Sequence, residues 1–330
     1  MRHSRAPDLA RRAAGWVGAA LLAGCALTFG AQAYAKAASH AASQATSQAA
    51  QTLSASTGAA STGTASTDSA CARPVYLTFD TGHMGVAPLI AEVLARQQVR
   101  VTFFAANEPT REGDGSLGDF WAPWWKSRAA EGHAFASHTF DHVYWRTDLP
   151  VTGRADGAAR NTSVGTSPES AAAPVFSVRA SAGPQTGITR SIREVDYCAQ
   201  IERAAARLEQ ITGQKALPLF RAPGGKTSPR LVAAARACGF AHVGWAPAGF
   251  LGDELPSESW PNARLLAKAL REVKAGDILV AHLGIWSRQD PWAPAVLEPL
   301  ITGLKGRGLC FATLRDHPAY KDWIAQHGRK

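Results

Sequence analysis

From residue 74 to residue 315 the chain reads as short apolar runs separated by longer segments in which apolar residues recur every three to four positions. Val75–Phe79 is β-branched, aromatic or aliphatic throughout, the composition of a buried strand, and it stops at the carboxylate of Asp80 before Thr81-Gly82. Val86–Gln97 follows, with Val86, Ile90, Val93 and Leu94 in helical spacing. The same pattern predicts strands at 101–105, 134–137, 217–220, 241–245, 278–281 and 310–314, and helices at 124–131, 194–211, 228–238, 263–273 and 294–305. Ser228 ahead of Pro229 is a helix N-cap signal. Such alternation predicts an α/β fold with parallel strands, and a seven-unit β/α barrel is the architecture chosen here. No G-x-G-x-x-G follows any strand, so a dinucleotide-binding sheet has no positive support.

The pattern breaks at both flanks and once inside. Residues 2–12 carry Arg2, Arg5, Arg11 and Arg12 and run into the apolar stretch Trp16–Phe29, the charged and hydrophobic regions of a secretory signal over residues 1–35. Two processing sites compete there: Leu22-Ala23-Gly24-Cys25 would make Cys25 a lipidated N-terminus, while Ala33-Tyr34-Ala35 suits ordinary cleavage. Export to the periplasm or envelope is expected, with membrane attachment through the N-terminus as the lipobox alternative. Residues 36–70 are almost wholly Ala, Ser, Thr, Gly and Gln and predict a flexible tether. The catalytic domain is therefore placed at 71–330. Within it, Thr147–Ile192 is rich in Gly, Ala, Ser, Thr and Pro and too long for an ordinary loop, so it is expected as a disordered insertion or a substrate-shaping lid.

Composition changes the picture modestly. The chain is 330 residues long and 46% hydrophobic, enough for one core plus non-globular additions. Part of the formal charge of +9 sits in the first twelve residues, and no Lys/Arg cluster interleaved with aromatics points to nucleic acid. Of the five cysteines, Cys71 before the first strand and Cys310 at the last would be neighbours at the bottom of a closed barrel, and in an oxidising compartment a disulfide between them is expected. Cys198 and Cys238 fall on helices and are expected as small buried apolar residues.

Chemistry gathers at strand ends. Asp80 ends the first strand, and Ser137-His138-Thr139-Phe140-Asp141-His142 closes the third, where two histidines four apart can face one side of a helical turn, the spacing a divalent metal needs. Arg221 ends the next strand in Phe220-Arg221-Ala222-Pro223-Gly224-Gly225, and His282 ends Leu279-Val280-Ala281-His282. In parallel α/β folds that rim is where catalytic groups gather.

The ordered set Thr78-Phe79-Asp80, His138-Thr139-x-x-His142, Arg221-x-Pro223-Gly224 and Leu279-x-x-His282 resembles the polysaccharide deacetylase family, carbohydrate esterase family 4 or NodB-homology domain. The likeness spans about residues 74–315. It implies a distorted (β/α)7 barrel and metal-dependent removal of N-acetyl groups from a glycan. It assigns Asp80 as general base, His138 and His142 as ligands of a divalent metal such as zinc, Arg221 as the group that orients the base, and His282 as general acid. The substrate implied is a GlcNAc- or MurNAc-containing polymer, peptidoglycan or chitin-like, and a monomer is expected.

Two positions depart from that family's pattern. Its third metal ligand is an aspartate directly after the base, where this chain has Thr81; Asp80 itself, a water or His83 could complete the shell. After the fifth strand, where a carboxylate tunes the acid histidine, the chain reads Trp245-Ala246-Pro247-Ala248-Gly249-Phe250, with Asp253 the nearest acid downstream. Trp145, Trp286 and Trp292 are expected in rim loops as sugar-stacking residues, and Trp121, Trp124 and Trp125 as helix packing. The alternatives to a deacetylase are a catalytically silent glycan-binding barrel and a metal-dependent amidohydrolase acting on a small molecule.

Overall fold

A computed structural model describes residues 71–150, 175–288 and 290–328. The signal and tether expectations fall on residues outside these.

In chain order the elements are β1 (Pro74–Asp80), α1 (Ala87–Arg96), β2 (Thr102–Ala105), α2 (Ala122–Ala130), β3 (Ala134–Ser137), β4 (Val143–Asp148), β5 (Phe176–Ala180) and β6 (Thr189–Ile192). Then come α3 (Glu194–Thr212), β7 (Leu219–Phe220), α4 (Pro229–Ala237), β8 (Ala241–His242), α5 (Asn262–Glu272), β9 (Ile278–His282), α6 (Leu297–Gly306), β10 (Cys310–Phe311) and α7 (Lys321–His327). The predicted strands and helices are all present, and Ser228 Oγ accepts from Leu231 N as the expected cap.

β1 is the centre of the parallel sheet. It pairs with β2 through Thr78–Asp80 and with β9 through Tyr76–Asp80, while β10 pairs only with its first two residues, Pro74 and Val75. From β2 the sheet continues through β3 and β7 to β8. No ladder joins β8 to β9; the segment after β8 reaches β9 through Ala246 N to Ile278 O, Leu251 N to Val280 O and the Phe250–Val280 bridge. Between β8 and β9 the expected barrel is therefore joined by these irregular contacts rather than by a strand ladder. Its strand positions are buried on both faces, which is why the strands read as unbroken apolar runs rather than as alternation.

The insertion is not the structureless loop the composition suggested. β4, β5 and β6 form an antiparallel three-stranded sheet whose Val143, Phe176, Val178 and Ile192 pack with Tyr197 and Ile201 of α3 and with Leu231 and Ala235 of α4. Apolar burial of alternate residues in Phe176–Ala180 outweighs the loop-like composition around it. Residues 151–174 of the insertion lie outside the described part.

Both described cysteine pairs are bonded. Cys71 joins Cys310 with Cα atoms 5.8 Å apart, as expected from their shared end of the sheet. Cys198 joins Cys238 with Cα atoms 6.2 Å apart, which corrects the reading of these two as inert buried thiols: α3 and α4 lie side by side, and the bond crosses between them.

Candidate active site

Parallel register brings the strand ends to one rim. Asp80 pairs with His282 across β1 and β9, Leu283 N donates to Asp80 O, His138 N donates to Ala105 O, and Arg221 N donates to Ser137 O. Four separate stretches of sequence thus place Asp80, His138, His142, Arg221 and His282 around one point. Asp80 and His282, the expected base and acid, sit on neighbouring strands rather than across the barrel from each other.

Arg221 is fully buried and donates from Nη1 to Asp80 Oδ1 at 2.6 Å and to Thr78 Oγ1 at 2.8 Å. Its remaining donors reach Val243 O and Gly244 O, and the guanidinium lies 4.1 Å from the centre of the Phe104 ring. A charge so fully satisfied and packed is a fixed post, and it fixes the Asp80 carboxylate in turn. Burial alone would raise the pKa of Asp80, but the charges of Arg221, His138 and His282 outweigh it and hold the carboxyl below its usual range. Asp80 is ionised throughout the neutral range.

His138 and His142 meet with their Nε2 atoms 3.2 Å apart. The segment between them is not a helical turn. Thr139 and His142 both adopt left-handed backbone angles, φ 61° and 48°, uncommon for non-glycine residues and tolerated only where surroundings over-determine them. Here the surroundings are visible: Thr139 N donates to Ser137 Oγ, Val143 N donates to Thr139 Oγ1, and Gln200 of α3 grips the turn. Gln200 O accepts from Phe140 N, its Oε1 accepts from Asp141 N, and its Nε2 donates to Asp141 Oδ2, each at 2.8 Å.

The donor set suits a divalent ion. His138 Nδ1 faces the Arg221 carbonyl at 2.9 Å, which can only accept, so the proton sits on Nδ1 and Nε2 keeps its lone pair. Burial pulls the His138 pKa down to about 4, so the ring is neutral. His142 Nδ1 meets Ser181 Oγ at 2.5 Å, a partner able to donate or accept, so His142 can also free its Nε2. Asp80 Oδ2 lies 3.6 Å from His138 Nε2. Two such nitrogens could share one zinc at ~2.0–2.1 Å each. Thr81, however, is fully turned to structure: it is buried and its hydroxyl accepts from Ala106 N at 3.0 Å. His83 is held elsewhere, with Nδ1 accepting from Gly85 N and its ring against Trp286. Among the described residues no group of three or more His, Cys, Asp or Glu is arranged as a metal cage. The protein offers two nitrogens, and the remaining positions fall to Asp80, water or substrate.

His282 is clamped by Asp253, whose Oδ2 accepts from His282 N at 2.6 Å and whose two oxygens lie 3.1 and 3.2 Å from Nδ1. Burial favours the neutral ring, but Asp253, Asp80 and Glu254 prevail and raise the pKa to about 10. A cavity of about 230 Å³ opens beside it, lined by His83, Arg111, Asp253, His282, Trp286 and Trp292 among others. A larger cavity of about 500 Å³, between the ends of α3 and α4 and His327, contains none of these residues.

The tryptophan expectations divide. Trp286 is 58% exposed at the pocket mouth, with His83 and Arg111 both against its ring. Trp292 lies in a loop as expected and lines the pocket, but at 4% exposed it is packed into the core and has little free face; this corrects its reading as an open stacking residue. Trp145 lies on β4, half-buried, with Nε1 donating to Asp148 Oδ1. Trp121, Trp124 and Trp125 pack α2 onto the sheet as expected. Sequence reasoning missed Glu108, whose Oε1 lies 3.7 Å from His142 Nδ1, and Tyr144, whose ring meets that of His142 edge-on at 4.9 Å. It also missed Ser181 and Gln200. Tyr144, two residues past His142 at the start of β4, was the one with a usable signal.

The polysaccharide deacetylase family model matches residues 67–243, just over half the chain, which include Asp80, His138, His142 and Arg221 but not Asp253 or His282. The chain belongs to the polysaccharide deacetylase family. A chitooligosaccharide deacetylase of Azorhizobium caulinodans is 24% identical to this polysaccharide deacetylase over 253 residues, covering 73% of this chain and 92% of the relative. Among solved structures, a family 4 acetyl xylan esterase from Clostridium thermocellum in complex with a cobalt ion shares the fold with a TM-score of 0.51 and 19% identity, over 76% of this chain and 92% of that one. A peptidoglycan N-acetylglucosamine deacetylase gives a TM-score of 0.49 and 20% identity over 74% and 87%. As a member of the family the chain is a carbohydrate-active hydrolase, a polysaccharide deacetylase.

Proposed function

We propose that the protein is an exported, metal-assisted N-deacetylase of GlcNAc- or MurNAc-containing glycans. The observation that carries this reading is the pairing of an ionised carboxylate, Asp80 held by Arg221, with an imidazolium, His282 held by Asp253, in register on adjacent strands beside the His138–His142 pair.

An amide resists hydrolysis for two reasons: water is a weak nucleophile, and an amine is a poor leaving group unless protonated. A divalent ion held by His138 and His142 would supply Lewis-acid polarisation of the acetamide oxygen and lower the pKa of a bound water to ~7. Asp80 accepts the water's proton as its oxygen bonds to the acetyl carbon. Arg221 keeps the carboxylate aimed and ionised, and also makes it a weak base. His282 then donates from Nε2 to the departing nitrogen as the C–N bond breaks, because Nδ1 is committed to Asp253. Acetate and a free amino sugar are the products. A pure binding module has no need of such an opposed pair, since neither charge would be used. The N-terminal residues 1–35 support export, and the lipobox at Cys25 offers attachment.

Acetate release from peptidoglycan, chitooligosaccharides and poly-GlcNAc, with chelator and with added zinc or cobalt, tests the reading. Acetate released from at least one of these glycans and lost with chelator is expected. Glycan binding without acetate release under any metal would replace it with the silent-barrel reading.

A further inference from the structure

The pocket beside His282 carries one cation, Arg111, that the hydrolytic step does not use and no carboxylate among the described residues pairs. At about 230 Å³ it is smaller than the ~300–1,000 Å³ of sites that engulf a drug-sized ligand, and it has room for one sugar residue or its substituent. Three cationic side chains line it: His282, Arg288 and Arg111. The lining carboxylate, Asp253, is spent on His282.

The two arginines differ. Arg288, with a side chain 3% exposed, donates to Leu255 O, Trp260 O, Asn262 Oδ1 and Asp290, so its fork is consumed in holding the loop. Arg111 makes no hydrogen bond or ion pair within the described residues; its guanidinium rests 5.5 Å from the centre of the Trp286 ring. Nearby acids in its own loop are engaged elsewhere, Glu108 toward His142 and Asp114 with Asp119 N and Phe120 N, and Glu112 is exposed. The pocket floor is built rather than incidental. His83 packs at 4.5 Å on Trp286, and Gly284, with φ 125°, makes room for it, since a Cβ there would fall 2.5 Å from His83 Cε1.

We infer that this pocket recognises a carboxylate carried by the glycan and that Arg111 is the residue that reads it, so the substrate is an acidic N-acetylated glycan. A planar guanidinium fork with unused donors matches a carboxylate, and the apolar walls formed by Ile285, Trp286, Trp292 and Ala293 take the carbons that carry it. The carboxylate can come from a lactyl ether on the sugar, as in MurNAc, or from a neighbouring uronate. The inference rests on the deacetylase reading and narrows its substrate.

The test uses the disulfide-bonded exported form and four oligosaccharides: a GlcNAc–MurNAc tetramer, the same tetramer with its carboxylates reduced to alcohols, a uronate–GlcNAc tetramer and chitotetraose. Acetate release and calorimetric binding are measured on each, for wild type, Arg111→Gln and Arg111→Lys. Wild type should favour the MurNAc tetramer over its reduced form by about tenfold in kcat/KM, the size of one charge-assisted contact, expressed in KM. Arg111→Gln should bring that ratio near one, Arg111→Lys should keep part of it, and added salt should shrink it. The uronate tetramer, compared with chitotetraose, shows which source of carboxylate fits. A wild-type ratio near one, or a ratio unmoved by Arg111→Gln, overturns the inference while acetate release keeps the deacetylase reading. Carboxylate-selective binding that depends on Arg111 but yields no acetate supports the pocket and rejects the deacetylase reading.

Discussion

Asp253 grips His282 at two points, accepting from its backbone N at 2.6 Å and facing its Nδ1 at 3.1 and 3.2 Å. The pair decides which form of the imidazole exists at working pH. Burial favours the neutral ring, the carboxylates favour the imidazolium, and the carboxylates win, with a pKa near 10 against an ordinary 6.5. Because the folded pKa is the higher one, the stability this group contributes is complete below about 6.5 and is lost as pH rises through about 10. Asp253→Asn should remove that alkaline loss of stability and shift the alkaline limb of the kcat/KM profile toward lower pH. Rate profiles and thermal melts from pH 5 to 11 measure both; an unmoved limb would show that His282 is not the acid.

Arg221 and Asp80 form an ion pair in which neither side chain meets solvent beyond a trace. Removing one member leaves the other charged and unpartnered, a change that typically costs ~3–5 kcal/mol. Arg221→Met should therefore lose stability by about that amount, and activity with it. Asp80→Asn also removes Arg221's counter-charge, but the amide oxygen still accepts from Nη1 and the bonds to Thr78, Val243 O and Gly244 O remain, so it should be milder in denaturant melts, yet lose roughly 100-fold or more in kcat. Equal destabilisation by the two variants would argue against this account.

The histidine turn depends on residues that never touch the reacting atoms. Gln200 supplies three hydrogen bonds to a segment with two left-handed non-glycine residues, and Ser181 orients His142. Removing partners that orient metal-ligating histidines usually weakens metal affinity by ~10–100-fold. Chelator competition for zinc should show that weakening for Gln200→Ala and Ser181→Ala, and near-complete loss for His138→Ala and His142→Ala. Wild-type affinity in all four would place the metal elsewhere.

The parallel core was legible because its strands are buried on both faces and its helices carry one apolar stripe, so periodicity alone separates them. Asp80, Arg221 and His282 were legible because each directly ends such a run. Three features were not. Phe176, Val178 and Ala180 alternate inward in a five-residue strand, but that signal was outweighed by the Gly, Ser and Thr around it. Gln200 sits in the middle of a long helix, where nothing local separates a brace for a distant turn from a solvated polar residue. Trp292 lies in a loop as its sequence context suggested, but its burial follows from the packing of the whole core. Asp253 was partly legible, as the nearest acid downstream of β8, and its contact with His282 follows from the segment after β8 folding back along β9.

The two disulfides should respond differently to reduction. Cys71–Cys310 closes a loop with sequence separation 239 and Cys198–Cys238 one with separation 40. In the chain-entropy model a longer loop constrains the unfolded state more, with typical contributions of ~2–4 kcal/mol. Peptide mapping without reductant should find both cross-links. Cys71→Ser with Cys310→Ser should lower the melting midpoint more than Cys198→Ser with Cys238→Ser. The reverse order would mean that strain or residual structure, rather than loop length, controls the effect.

If His282 is the proton donor, its removal should matter only where the leaving group needs a proton. A nitrophenolate departs unaided, whereas the amine of an N-acetyl sugar does not. His282→Ala should therefore lose roughly 100-fold or more on a glycan amide and much less on nitrophenyl acetate, since general acid catalysis is worth ~10²–10⁴-fold where it operates. Asp80→Asn makes the control, because proton removal from water is common to both substrates and its loss should depress both. The geometry gives the comparison its force: Asp80 and His282 are register partners on adjacent strands, so a general disturbance of the rim would strike both reactions in either variant. A His282→Ala variant equally impaired on ester and amide would make His282 a structural or binding group, and the donor would have to be sought elsewhere along the same rim.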